Sequence, residues 1–451
     1  MKTFMNLKAA MSILLGLIFI SPSYGQEVLV LTLEESVKYA IENNVDAKNA
    51  QLEVMASKGI IGENLAKGLP QITGNFDFTH NMLIPVVFLP NAGPFADPNI
   101  DSDVVPARFG VDFQSALGVR LEQMIFDGSY FVGLKAAKTL KMLTEFDKEK
   151  TENDIIEGVK KAYYSVLVND ERRKLVEANL GRLETLLHDT EALFEAGFVE
   201  KIDVSRIKVQ RNNLNTELDK VVTGTAISVE MLKLQMGLPM NSTIEISEKL
   251  SDLNEKAEIA SLLENDGYRR VEIDQLNTNL VLANLDLKNN QVQYMPKING
   301  FLTYQRSGAS LDFNSLWQSN NWFSVSTVGV NMSIPIFDGF SKSNKIKQNR
   351  VQIQQLENQK EFVESNIDIE RFQAKANLNN SLKALSVQDE NRQLALEVFQ
   401  MAKIKYEEGV GSNLEVVEAD SALKEAESNY FSALFDALIS RVDLEKALGI
   451  L

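Results

Sequence analysis

From Phe340 to Glu408 the chain runs for 69 residues without a glycine or a proline, then meets Gly409-Val410-Gly411. Glycine is the usual residue just past a helix end and proline is the residue a helix interior tolerates least. The run therefore predicts one very long helix that reverses at a glycine turn. A second long-helix candidate, free of proline though not of glycine, spans Ser129 to Ala196 and stops at Gly197. At about 1.5 Å per residue each helix reaches roughly 100 Å, more than a single globular domain needs. Apolar residues are sparse along the Phe340–Glu408 run: Val363, Ile367, Leu378, Leu382 and Leu385 recur at multiples of three and four, with Gln, Asn, Lys and Glu between them. Such a stripe packs helices side by side in coiled-coil fashion and leaves the other faces wet. A water-filled tube of helices and a solid coiled-coil rod both satisfy it.

The two long helices belong to two copies of one pattern. Ile125-Phe126-Asp127-Gly128 returns as Ile336-Phe337-Asp338-Gly339, and Phe194-Glu195-Ala196-Gly197 with Asp203-Val204 returns as Tyr406-Glu407-Glu408-Gly409 with Glu415-Val416. LPQITGNFDF, beginning at Leu69, corresponds to MPKINGFLTY, beginning at Met295, and Gly237 corresponds to Gly449. Anchors in one order predict a tandem duplication. The first copy carries extra residues between its proline and its IFDG. The expected division is residues 1–25 as an export signal, 26–240 as the first repeat, 241–258 as a linker and 259–451 as the second repeat.

Each half opens with a helical stretch, about Leu33 to Lys67 and about Ile259 to Tyr294, and turns at proline into segments of two-residue period. Ile72, Phe76 and Phe78 alternate with Thr73, Asn75 and Asp77; Val111, Phe113, Leu117, Val119 and Leu121 alternate with Asp112, Gln114, Arg120 and Glu122. The second half is less regular, with Ile298, Leu302 and Tyr304, then Val328, Val330, Met332, Ile334 and Ile336 on the apolar side. Alternation over about ten residues suits a membrane barrel strand, but taken alone it favours a soluble antiparallel sheet with one wet face, the commoner context. The connections favour the barrel: residues 83–110 hold five of the chain's ten prolines, and the second connection is polar around Trp317. Four strands cannot close a barrel, and an open edge in lipid leaves backbone groups unsatisfied, so a membrane reading requires several copies.

The formal net charge is −16, and because Lys2 and Lys8 lie in residues 1–25 the remainder is more negative still. That excludes nucleic acid as a partner. Residues 1–25 have the basic start, the short apolar core (Ile13 to Ile20) and the Ser23-Tyr24-Gly25 end of a secretory signal. With no cysteine there is neither a lipid-anchor cysteine nor a disulfide framework. The two histidines, His80 and His188, cannot assemble a Ser-His-Asp or multi-histidine site, so no catalytic residue, metal site or cofactor is expected. Phe126, Tyr130, Trp322 and Phe337, near strand ends, fit an interfacial membrane girdle.

Together the signal segment, the repeated helix-strand-strand-helix order, both IFDG copies and both aromatic-x-x-Gly turns resemble the TolC-like outer-membrane efflux proteins, over essentially all of the chain after residue 25. The resemblance implies a homotrimer with a twelve-stranded β-barrel in the outer membrane, continuous with a long twelve-helix barrel across the periplasm. It implies a passive exit duct serving a tripartite efflux pump or a type I secretion system. Partners would be a periplasmic adaptor and an inner-membrane pump or ABC transporter. By the same resemblance Glu415 and Glu418 line the periplasmic gate and Asp203 helps latch it. Gly197, Phe198, Gly409, Val410 and Gly411 form the hairpin tips at which the adaptor docks. Gly411 stands where some relatives place an arginine that pairs with the first-half acid, and Arg206 has the spacing to replace it. The alternative, a periplasmic coiled-coil adaptor, calls for one hairpin with flanking β-rich domains, whereas this chain shows the hairpin twice.

Overall fold

The computed structural model describes residues 29–95, 98–248, 261–265 and 269–451. The expected export signal and residues 249–258 of the expected linker lie outside them. In chain order the elements are β1 (Leu29–Leu31), α1 (Leu33–Asn43), α2 (Val45–Ala66), β2 (Gln71–His80), β3 (Val86–Pro90), β4 (Val104–Arg108), β5 (Phe113–Phe126) and α3 (Gly128–Glu195). They continue as α4 (Lys201–Met236), β6 (Ile244–Ile246), α5 (Val271–Val292), β7 (Lys297–Ser310), α6 (Phe313–Leu316), β8 (Trp322–Ser333), α7 (Ser341–Glu407) and α8 (Asn413–Leu448). Both long helices appear, of 68 and 67 residues. Two compact units divide the chain, one with residues 49–150 and 270–368 and the other with the remainder.

The first of these units holds an antiparallel sheet ordered β2-β5-β7-β8. Its register joins the alternating patterns across all four strands. Ile72 opposes Leu121, which opposes Leu302, which opposes Val328; Phe76 opposes Leu117. One face is therefore largely apolar, and its side chains are exposed: Ile72, Phe76, Val119, Leu302, Val328 and Val330 are among them. The opposite face carries Thr73, Asn75 and Asp77 against Arg120, Gly118 and Ala116. An exposed apolar surface of this extent marks contact with lipid or with another protein. β2 and β8 are sheet edges, and each leaves one side of its backbone unpaired.

Four local features differ from the expected pattern, the first being that the second-half stretch expected from about Ile259 to Tyr294 is helical at 261–264 and, after the extended Arg270, again over Val271–Val292. The first helical stretch is two helices, because Asn44 is extended (ψ 141°), accepts from Asp46 N–H at 2.7 Å and donates to Gln235 O at 2.8 Å. The proline-rich connection contains a separate two-stranded ribbon, β3 paired with β4. The last strand starts at Trp322 and ends before Pro335, so Ile334 and Ile336 lie beyond it. Proline has no N–H for the ladder.

In the other unit β1 pairs in parallel with β6, and a core forms around Tyr163, Val159, Met236, Leu232 and Val442. Thr32 and Glu35 close a capping box on α1. Lys446 bridges Asp154 (3.0 Å) and Glu157 (2.6 Å), Lys161 bridges Glu157 (2.7 Å) and Asp443 (2.6 Å), and Lys160 reaches Glu445 (2.6 Å), tying α3 to α8. A second core, built from Leu183, Leu187, Ile207, Phe399, Val416 and Leu423, lies beneath the two helix turns.

Candidate functional site: the two helix turns

Each hairpin reverses by the same backbone device. At the end of α3, Gly197 takes φ +81°, its N–H donates to Phe194 O at 3.0 Å, and Phe198 N–H donates to Leu193 O at 2.9 Å. At the end of α7, Gly409 takes φ +76°, its N–H donates to Tyr406 O at 3.0 Å, and Val410 N–H donates to Lys405 O at 3.0 Å. This pair of bonds is the Schellman closure, and the left-handed residue at its centre favours glycine. Gly411 serves differently: its N–H donates to Lys405 O at 2.9 Å, and a Cβ there would stand 2.8 Å from Lys405 Cβ. Any side chain at 411 has to displace the end of α7.

The next helices start in matching ways. Glu200 precedes α4 and its N–H donates to the Asp203 carboxylate at 3.2 Å. Ser412 precedes α8 and its hydroxyl accepts from Glu415 N–H at 3.2 Å. Asp203 and Glu415 thus both occupy the third helical position, where an acid also complements the helix dipole. Asp203 pairs with Arg206 at 3.4 Å on its own helix. Glu415 and Glu418 are exposed, one turn apart on α8, and neither forms an ion pair among the described residues. Nearby, Lys208 bridges α4 to Glu191 of α3 at 2.7 Å and holds that carboxyl below its ordinary range.

Two apolar side chains crown the turns: Phe198 is 79% exposed and Val410 80%. In this closure the residue after the left-handed one commonly packs back on its helix; here both point into solvent. Beneath them, several polar groups are buried. The Tyr406 hydroxyl and both amide atoms of Asn413 have no hydrogen-bond partner among the described residues. Asp420 pairs with Lys424 at 2.5 Å, and Glu427 accepts from Asn179 at 2.7 Å.

The expected girdle residues fall at both ends of the sheet. Phe126 closes β5 and Tyr130 opens α3, each within 6.5 Å of the Phe131 ring, while Phe337 meets Phe340 at 5.5 Å. Trp322 begins β8 at the opposite end, opposite Gly308, and its indole N–H donates to Leu316 O at 2.8 Å. In both IFDG copies the aspartate caps the helix that follows: Asp127 accepts from Ser129 N–H (2.8 Å) and Asp338 from Lys342 N–H (3.0 Å).

Residues 268–450 match the family described as "Outer membrane efflux protein". The chain is 21% identical over 382 residues to the outer membrane protein TolC of Escherichia coli, covering 80% of this chain and 75% of that protein. It is 24% identical over 425 residues to the solvent efflux pump outer membrane protein SrpC of Pseudomonas putida, covering 91% and 83%. The crystal structure of the open state of the MtrE outer membrane channel of Neisseria gonorrhoeae superposes with a TM-score of 0.70 at 17% identity, over 92% of this chain and 88% of that one. These relatives are outer-membrane channel proteins rather than enzymes. The chain is thus similar along most of its length to outer membrane efflux proteins, its residues 268–450 match that family, and it has the fold of outer-membrane channels.

Proposed function

We propose that the protein is the outer-membrane exit duct of a tripartite efflux pump or a type I secretion system. On this reading it passively conducts small molecules or proteins delivered by an inner-membrane pump or ABC transporter through a periplasmic adaptor. The observation that carries the reading is the four-stranded sheet with one exposed apolar face and two unpaired edges. In lipid such edges must be closed by other copies, and three copies supply a twelve-stranded barrel. The near-equal helix lengths in the two halves, 68 and 36 against 67 and 36 residues, support descent from one repeat.

In this assembly Glu415 and Glu418, with Asp203, form the periplasmic gate. The glycine turns with Phe198 and Val410 present two apolar tips per chain to the adaptor. Phe126, Tyr130 and Phe337 form one membrane girdle and Trp322 belongs to the other. The decisive measurement is the mass of the detergent-solubilised complex: three copies, with no folded monomer, are expected. A monodisperse monomer that keeps its full strand content overturns the barrel.

A further inference from the structure

The apolar face of the sheet carries one anomaly. From Ile72 to His80, Phe113 to Gln123, Gly300 to Ser310 and Trp322 to Val330, the register assigns every second residue to this face, and Arg306 is its sole carboxylate, ammonium or guanidinium. The opposite face carries charges of both signs, Arg120 paired with Glu122 at 2.6 Å and Asp77 accepting from Asn75 at 3.0 Å. Arg306 is exposed, and its guanidinium has neither an ion pair nor a hydrogen bond among the described residues.

Its neighbours are informative. Arg306 lies opposite Leu117 on one side and Ser324 on the other. The Ser324 hydroxyl is 3.3 Å from the Tyr304 hydroxyl, so two hydroxyls stand beside the guanidinium's stem. Two residues toward the strand ends, Trp322 lies over Gly308, anchored by its bond to Leu316 O, and continues through Trp317 and Phe313 to Phe113 at centroid spacings of 5.7 to 6.2 Å. In the other direction the face turns apolar, with Leu302, Val328 and Val330. Arg306 therefore stands about 7 Å inside an aromatic belt, at two residues of strand rise.

An arginine facing lipid is costly at the bilayer midplane and tolerated near an interface, where its stem lies on apolar surface and its head reaches polar groups. A guanidinium fork matches the paired oxygens of a phosphate and is more weakly hydrated than an ammonium. We propose that Arg306, with the hydroxyls of Ser324 and Tyr304, is a binding site for a phosphorylated lipid headgroup on the membrane-facing side of the barrel, in the leaflet at the Trp322 end. The site rests on the reading of this face as lipid-facing. Its ligand is the phosphate of an outer-leaflet lipid rather than free phosphate, because the cation is set among side chains that acyl chains would cover.

The test uses the full-length protein in phosphatidylcholine bicelles with increasing diphosphoryl lipid A, the bound lipid being counted by native mass spectrometry. Wild type should retain the lipid about tenfold more tightly than Arg306→Gln, with Arg306→Lys between them. Millimolar inorganic phosphate should not displace it. Equal retention by wild type and Arg306→Gln, or displacement by inorganic phosphate, overturns the proposal. A separate readout checks the underlying reading: in Trp317→Phe, Trp322 is the remaining tryptophan, and brominated acyl chains should quench it. Quenching together with unchanged lipid retention in Arg306→Gln sinks the headgroup site alone; absence of quenching sinks the lipid-facing assignment and the site with it.

Discussion

Glu427 shows how a residue's role can hide in an acidic helix. With 62 acids against 46 bases, a carboxylate on these helices reads as part of a wet face. Glu427 is instead 6% exposed, held by Asn179, whose own amide oxygen accepts from Arg182. Burial pushes its carboxyl above the ordinary range and the charge of Asp420 adds to the rise, while the Asn179 bond, Arg182 and Arg392 oppose it. An acid whose folded pKa is raised contributes stability that is complete below its unfolded pKa and is lost as pH rises through the folded value. Glu427→Gln keeps an acceptor for Asn179 and removes the ionisation. The variant should match wild type near pH 4 and exceed it at pH 8. Denaturant unfolding at the two pH values measures this; no gain at pH 8 means that the arginines fully compensate the buried charge. The stripe of apolar residues told which faces pack, but not which polar side chains those faces enclose.

The elements were the most legible level. Ser129 to Ala196 and Phe340 to Glu408 were expected as helices and appear as Gly128–Glu195 and Ser341–Glu407. The one-residue delay at the second start has a local cause: Phe340, at φ +65°, is left-handed and outside the helix. The period-two segments located the four strands, whereas the β3–β4 ribbon escaped notice because prolines at 85, 90, 94, 98 and 106 disguise it as loop. Periodicity also passed over the polar contact between α5 and α7. There Asn290 donates to Asn349 at 2.8 Å and Asn349 to Asp286 at 2.5 Å, with both asparagines buried. Buried asparagines between paired helices fix register at a cost in stability. Asn349→Ala removes both side-chain bonds and leaves the Asn290 amide with its bond to Asp286 O alone, so it should destabilise the protein by about 1 kcal/mol, whereas the double variant Asn290→Leu with Asn349→Leu should recover much of that loss. Chemical denaturation of the three proteins forms the comparison, and a double variant as unstable as the single one removes the register role.

At the scale of the assembled molecule, the turns were readable as turns from their glycines, but what they do depends on neighbours that one chain does not contain. Asp203 illustrates the difference, since within the chain it caps α4 and pairs with Arg206. Glu415 and Glu418 have no such engagement among the described residues. In the proposed trimer each would recur three times around the proposed gate, and a confined ring of carboxylates attracts cations and sets cation preference in pores. The closed channel should therefore pass cations in preference to anions and be blocked from the periplasmic side by a trivalent cation. Glu415→Gln with Glu418→Gln should relieve that block at least tenfold, as expected for losing a multivalent charge contact, and leave trimer stability nearly unchanged because both side chains are exposed. Ser412 still caps α8 in the variant, since its bond is to the Glu415 backbone N–H. Single-channel conductance in planar bilayers, wild type against the double variant, with and without the trivalent ion, decides the matter. Undiminished block in the variant moves the ring away from Glu415 and Glu418, and Asp203 becomes the next position to replace.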